Sequence, residues 1–249
     1  MTPPPVLVAL DVPSAEQAVR LAGRLAPWVA GFKVGLELLM GPGPMTIAAV
    51  AELGKPVFAD AKVHDIPTTA GRAARQLGRL GARWVTVHAA GGAAMVTATV
   101  EGLAEGAGGR AAGILAVTVL TSLTAEDLER IGVGRTPGRQ VGRLAKLAAD
   151  TGAEGVVCSV RELGDVAQVA PSLVRVTPGI RMADSPSDDQ VRTATPAEAL
   201  ARGATYLVVG RPITAAADPE QAAARLAAEL AAAAPVELVE SPSIDPGRD

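Results

Sequence analysis

Eight short apolar runs, each followed by a stretch with helical spacing, recur along the chain and leave few architectures open to it. The runs are Val6–Leu10, Val29–Val34, Pro56–Lys62, Trp84–His88, Gly113–Val119, Gly155–Ser159, Leu173–Thr177 and Tyr206–Val209. Short apolar runs bounded by turn residues read as strands buried on both faces, the condition of a parallel sheet covered by helices. Between them, Ala15–Leu25, Thr46–Leu53, Thr69–Leu80, Ala93–Glu105, Arg139–Thr151 and Arg161–Val169 carry apolar residues at helical intervals, several ending near a glycine. Eight such units in about 230 residues predict an α/β chain closed into a (β/α)₈, or TIM, barrel.

With 249 residues, 49% hydrophobic and 20% charged, the chain suits one large α/β barrel or two small domains; a single barrel domain over residues 1–234 is the favoured reading. The seventh unit is the weakest: MADSPSDDQVRTATPAEALARG reads as a polar loop, a candidate lid, before a short helix Pro196–Arg202. The Ala-rich helix Pro219–Ala233 closes the barrel. Residues 235–249 hold three prolines and no periodicity, which predicts a disordered tail.

Composition removes several function classes. A net charge of −3 and 2% aromatic residues offer neither a basic surface for phosphodiester backbones nor rings for stacking bases. A single cysteine, Cys158, excludes an intrachain disulfide and reads as a small buried hydrophobe in a strand. No basic leader with a long apolar stretch begins the chain, and no segment has the roughly 18 uninterrupted apolar residues of a membrane span. A soluble, unprocessed, cytoplasmic protein is expected.

A barrel directs attention to the C-terminal strand ends, where barrel enzymes place their chemistry. The ends carry Asp11, Lys33, Asp60 with Lys62, His88, Thr118 to Ser122, Ser159, Arg181 and Arg211, something polar on nearly every strand. The densest stretch is FADAKVHDIPTTA, residues 58–70. Residues two apart on a strand share a face, so Asp60 and Lys62 point the same way with backbones roughly 6–7 Å apart. Asp65 follows in a short loop, with Pro67 near the first turn of the next helix. A salt-bridged surface loop is the bland alternative, each exposed pair contributing only about 0–1 kcal/mol.

The seventh and eighth ends read VTPGIR (176–181) and VVGRPIT (208–214), each joining a glycine to an arginine. Barrel phosphate sites form in these two loops, and Arg211 can fork onto phosphate oxygens. Turn glycines beside ordinary surface arginines are the competing reading. No G-x-x-x-x-G-K-[ST], G-x-G-x-x-G or H-E-x-x-H motif occurs. One Cys and two His cannot build a Cys/His metal cluster; a magnesium site using Asp60 and its neighbours stays open, although Lys33 and Lys62 would neutralise the carboxylates that should attract the ion. His64 either orients the charged cluster or fills a hydrogen-bonded structural role, and His88 reads as a hydrogen-bonded strand-end histidine.

The segments ALDVPS (9–14), FKVGLEL (32–38), DAKVHDIPTT (60–69), VHAAGG (87–92), VTVLTSL (117–123), VTPGIR with DDQVR (176–192) and VVGRPIT (208–214) resemble, in order, the orotidine 5′-phosphate decarboxylase family. The most specific part is D-x-K-x-x-D-I-P-x-T. Related sugar-phosphate decarboxylases and aldolases share D-x-K-x-x-D without the I-P-x-T continuation. The resemblance implies a homodimer that converts orotidine 5′-phosphate to UMP and CO₂ without metal or organic cofactor. It implies Lys62 as proton donor to C6, in a charge row with Lys33, Asp60 and the other subunit's Asp65. By the same resemblance Asp11 and Lys33 meet the ribose, and Thr69 reaches in beside Asp65 and Ile66. Thr121 and Ser122 approach the pyrimidine; Pro178, Arg181, Gln190, Gly210 and Arg211 surround the phosphate end. Two alternatives stay open at this point: a magnesium-dependent sugar-phosphate enzyme of the same superfamily, and a non-catalytic nucleotide-binding barrel.

Overall fold

The computed structural model describes residues 3–181 and 194–233. The polar part of the seventh loop, with Gln190, and the tail 235–249 lie outside the described residues. Strands β1 (Val6–Ala9), β2 (Gly31–Val34), β3 (Val57–Val63), β4 (Trp84–His88), β5 (Gly113–Val117), β6 (Gly155–Val157), β7 (Val174–Thr177) and β8 (Tyr206–Val209) pair in sequence order. All the pairs are parallel, and β8 returns to β1, so the sheet closes into a barrel. The expected (β/α)₈ fold is what forms.

The helices around it are α1 (Ala15–Leu25), α2 (Leu36–Met40), α3 (Met45–Ala51), α4 (Pro67–Arg79), α5 (Ala93–Ala107), α6 (Ala125–Arg130), α7 (Pro137–Asp150), α8 (Leu163–Val169), α9 (Pro196–Ala201), α10 (Arg211–Thr214) and α11 (Pro219–Ala233). Helices α2, α6 and α10 were not expected, because four to six residues are too few to show a 3.6-residue period. A signal for α6 did exist: Thr124 and Asp127 form a reciprocal capping box. Strands β5 and β6 stop two residues short of the expected ends. Past β6, Ser159 turns its hydroxyl to Glu162 and caps a short 3₁₀ turn, so the hydroxyl at this strand end is engaged within the fold. Thr118 likewise donates to the Val157 carbonyl at 2.9 Å. Cys158 is buried beyond β6, and burial pushes its thiol up to about 12, as suits a small core residue.

Alternation along the strands builds two apolar layers. Val6 and Val8 of β1 pack outward with the helices, whereas Leu7 and Ala9 join Phe58, Trp84, Leu115, Val176 and Val208 inside the barrel. Each fully buried Leu or Phe contributes about 1.5–3 kcal/mol of transfer free energy, so the interior is a packed plug and not a pore. At its N-terminal end Arg83 forks onto Glu154 at 2.7 and 2.6 Å, and the Trp84 indole donates to the same carboxylate at 2.9 Å. Helices α4 and α5 approach through glycines: a Cβ on Gly102 would collide with the Gly71 carbonyl, and one on Gly106 with that of Arg75. This close contact fixes α4, whose first turn carries Thr69.

Candidate active site

The inward row of each strand, followed past the plug, turns from apolar to charged. In β2, Phe32 and Val34 pack outward, so Lys33 points in. In β3, Asp60 and Lys62 continue the row of Phe58; in β4, Thr86 continues that of Trp84. The charges therefore stand on the C-terminal face of the plug, around a cavity of about 260 Å³. Asp11, Lys33, Asp60 and Lys62 form one wall; Val117, Val119 and Val157 form an apolar one. Thr121, Pro178, Arg181, Gly210 and Arg211 are among the residues that line the remainder.

The four charged groups alternate in sign along a continuous row. Lys33 Nζ lies 3.2 Å from Asp11 Oδ1 and 3.6 Å from Asp60 Oδ2, and Lys62 Nζ lies 2.8 Å from Asp60 Oδ1. Asp60 is only 9% exposed. Burial pushes its carboxyl up, but the charges of Lys33 and Lys62, with hydrogen bonds from Lys62 and Thr86, outweigh that and hold it below its ordinary value. Asp60 is therefore an anion at neutral pH, and both lysines are fixed against it.

Lys62 has φ +48°, the one left-handed non-glycine among the described residues. Such a conformation costs on the order of 1–3 kcal/mol and persists only where surroundings enforce it. Here the β3–β4 ladder breaks register: Ala59 faces Val85 and Val63 faces Val87, four residues of β3 spanning two of β4. The excess bulges at residues 60–62. The Lys62 N–H donates to Thr86 Oγ1 at 2.9 Å, and the Thr86 hydroxyl is 3.0 Å from Asp60 Oδ1.

Other expected residues lie elsewhere. Asp65, Ile66 and Thr69 are exposed on the loop and first turn after β3. Asp65 accepts the Ile66 N–H at 2.6 Å and forms no ion pair with Lys33 or Lys62 of its own chain. Ser122 is exposed and does not line the cavity. His64 and His88 stack at 5.3 Å; burial, then His64 and Lys62, hold His88 below its ordinary value. Among the described residues, no group of three or more His, Cys, Asp or Glu side chains could hold a metal ion, and no helix is long and apolar enough to cross a membrane.

Sequence reasoning missed Gly35, Thr86 and the valine wall. A Cβ on Gly35 would crowd Lys33 Nζ and Asp11 Oδ1. The valines read only as strand formers, although their place two residues apart near the ends of β5 and β6 was a usable signal.

Residues 4–226 match the model of the family described as orotidine 5′-phosphate decarboxylase / HUMPS. The orotidine 5′-phosphate decarboxylase of Paramagnetospirillum magneticum is 50% identical over 230 residues, 91% of this chain and 98% of that one. That of Moorella thermoacetica is 49% identical over 230 residues, 90% and 91% of the two chains. Among solved structures, orotidine 5′-phosphate decarboxylase from Lactobacillus acidophilus superposes with a TM-score of 0.78 at 36% identity, covering 90% of this chain and 98% of that one. The enzyme from Pyrococcus horikoshii OT3 gives 0.73 at 26%, covering 91% and 99%.

Proposed function

The chain belongs to the orotidine 5′-phosphate decarboxylase / HUMPS family, and we propose that its reaction is the one its relatives are named for, decarboxylation of orotidine 5′-phosphate to UMP and CO₂ in UMP biosynthesis. The observation that carries this reading is the Asp11–Lys33–Asp60–Lys62 row facing a valine wall in one cavity.

Loss of CO₂ from C6 of the pyrimidine breaks a C–C bond and leaves its electron pair on an sp² carbon with no carbonyl placed to delocalise it. Stabilisation must then be electrostatic. Lys62 supplies a fixed ammonium beside that carbon and donates its proton there, giving the C6–H of UMP; solvent returns the proton to the lysine. At 4 Å and an effective dielectric of about 20, one unit charge pair is worth roughly 4 kcal/mol, against about 8–23 kcal/mol for large enzymatic accelerations. The remainder falls to preorganisation. Asp60, ionised and immobile, stands where it repels the substrate carboxylate in the ground state more than in the transition state that releases neutral CO₂. The valine wall accepts the leaving CO₂, which is apolar, better than the carboxylate it comes from.

The rest of the cavity serves binding. Asp11 and Lys33 meet the ribose hydroxyls, Thr121 the pyrimidine, and Arg181 and Arg211 with the Gly210 and Pro178 backbone segments hold the phosphate. Asp65 and Thr69, exposed and not lining their own chain's cavity, serve the site of a second copy in a cytoplasmic homodimer. In the segments after β2 and β3, Met40, Met45 and Ile66 are 78%, 66% and 67% exposed, apolar surface of the kind an interface covers. No metal or organic cofactor enters this scheme.

The test is ultraviolet-monitored conversion of orotidine 5′-phosphate to UMP by purified protein in EDTA. Rapid turnover is expected. No turnover by a folded protein, with magnesium-dependent activity on a keto-acid sugar phosphate, would replace this reading.

A further inference from the structure

We infer that Thr86 is a positioning residue for the reaction, holding Lys62 in its left-handed conformation and thereby setting where the ammonium points. It lies on the inward row of β4, is fully buried and does not line the cavity, so any effect on chemistry passes through its neighbours.

Its hydroxyl closes a ring that begins and ends on one residue. The Lys62 backbone N–H donates to Thr86 Oγ1, the Thr86 O–H donates to Asp60 Oδ1, and the same Oδ1 accepts from Lys62 Nζ at 2.8 Å. An ionised carboxylate can only accept, so the hydroxyl proton is committed to Asp60 and an oxygen lone pair to the Lys62 amide. In an unbroken ladder the β4 backbone would take that amide; the bulge between Ala59 and Val63 removes it from the pairing. Thr86 stands in for the missing ladder bond and at the same time fixes the carboxylate that anchors the lysine's other end. A residue with no hydroxyl would leave a buried N–H and one carboxylate lone pair unmet, and the left-handed turn at Lys62 would lose its reason to persist.

The kinetic part rests on the decarboxylase reading given above; the structural part does not. The experiment compares Thr86→Val, which keeps the shape and removes the hydroxyl, with Thr86→Ser, which keeps the hydroxyl and removes the methyl. Thr86→Val is expected to lower kcat about 10- to 100-fold, the scale of an ångström-level misplacement. KM should stay within about threefold, because the binding contacts are elsewhere. Thr86→Ser should restore most of the lost rate. In the crystal structure of Thr86→Val, Lys62 is expected to leave positive φ or its Nζ to leave Asp60. An unchanged kcat in Thr86→Val, a serine variant as impaired as the valine one, or a valine variant with Lys62 geometry intact would each overturn the inference. Should Thr86→Val fail to fold, Thr86→Ala carries the same comparison. If the native protein does not act on orotidine 5′-phosphate, the reaction assignment falls while crystallography still decides the role of Thr86.

Discussion

A Cβ placed on Gly35 would stand 2.8 Å from Nζ of Lys33, so the position of the lysine depends on a neighbour that has no side chain. The atom in the way is the end of a flexible chain and not backbone. Gly35→Ala is thus absorbed by moving the ammonium, at little cost to the fold and at direct cost to the row that Lys33 completes. The expected result is a loss of about 10-fold or more in kcat/KM with a melting temperature close to that of the native protein. A melting temperature that falls while activity per folded molecule holds would show that Gly35 serves the fold alone.

Arg211 follows β8 and lines the cavity. Arg211→Ala should remove a charge-assisted contact of about 1.5–3 kcal/mol, weakening UMP roughly 10- to 100-fold and leaving uridine affinity nearly unchanged. Calorimetry with the two ligands checks it. Equal weakening of both would move the arginine away from the phosphate.

How far the sequence revealed this arrangement depends on whether a feature repeats with the local period. Asp60 and Lys62 were legible because two positions on a strand make one face, and eight apolar runs were enough to close a barrel. Thr86 was not legible, since a threonine within WVTVH reads as a strand former whose hydroxyl is incidental. Nor was the conformation of Lys62: left-handed backbone is signalled by glycine or asparagine, and here a bulge and a cross-strand hydroxyl impose it on a lysine. Asp65 shows the converse limit. It is three residues from Lys62 in sequence, yet the turn into α4 points its carboxylate at the Ile66 amide.

Glu154 sits at the barrel rim opposite the cavity and separates stability from chemistry. Burial pushes its carboxyl up, but hydrogen bonds from Arg83 and Trp84 outweigh this and hold it below the ordinary value. A carboxyl depressed by folding contributes stability that is present above its unfolded pKa, about 4.3, and is lost as pH falls through the folded value. Glu154→Gln should therefore lose about 1–3 kcal/mol at pH 7, a deficit that shrinks below about pH 4, with kcat unchanged. Denaturant titrations across that range measure it, and a deficit that grows toward acid would contradict the assignment.

If Asp65 completes the site of a second copy, two inactive variants should repair each other. An equal mixture of Asp65→Ala and Lys62→Ala chains, after subunit exchange, gives mixed dimers in which one of the two sites carries neither change. About a quarter of native activity is expected from random pairing of a two-fold dimer. No recovery despite proven exchange would place Asp65 within its own chain's chemistry.

The most direct test of the account is the Lys62→Ala variant, assayed for decarboxylation of orotidine 5′-phosphate and titrated with UMP. Loss of both the stabilising charge and the proton donor predicts a fall in kcat of roughly 10³-fold or more, with UMP still bound because the ribose and phosphate contacts lie elsewhere. Turnover within a few-fold of native, in a preparation free of native enzyme, would remove Lys62 from the reaction and with it the charge row as the source of catalysis.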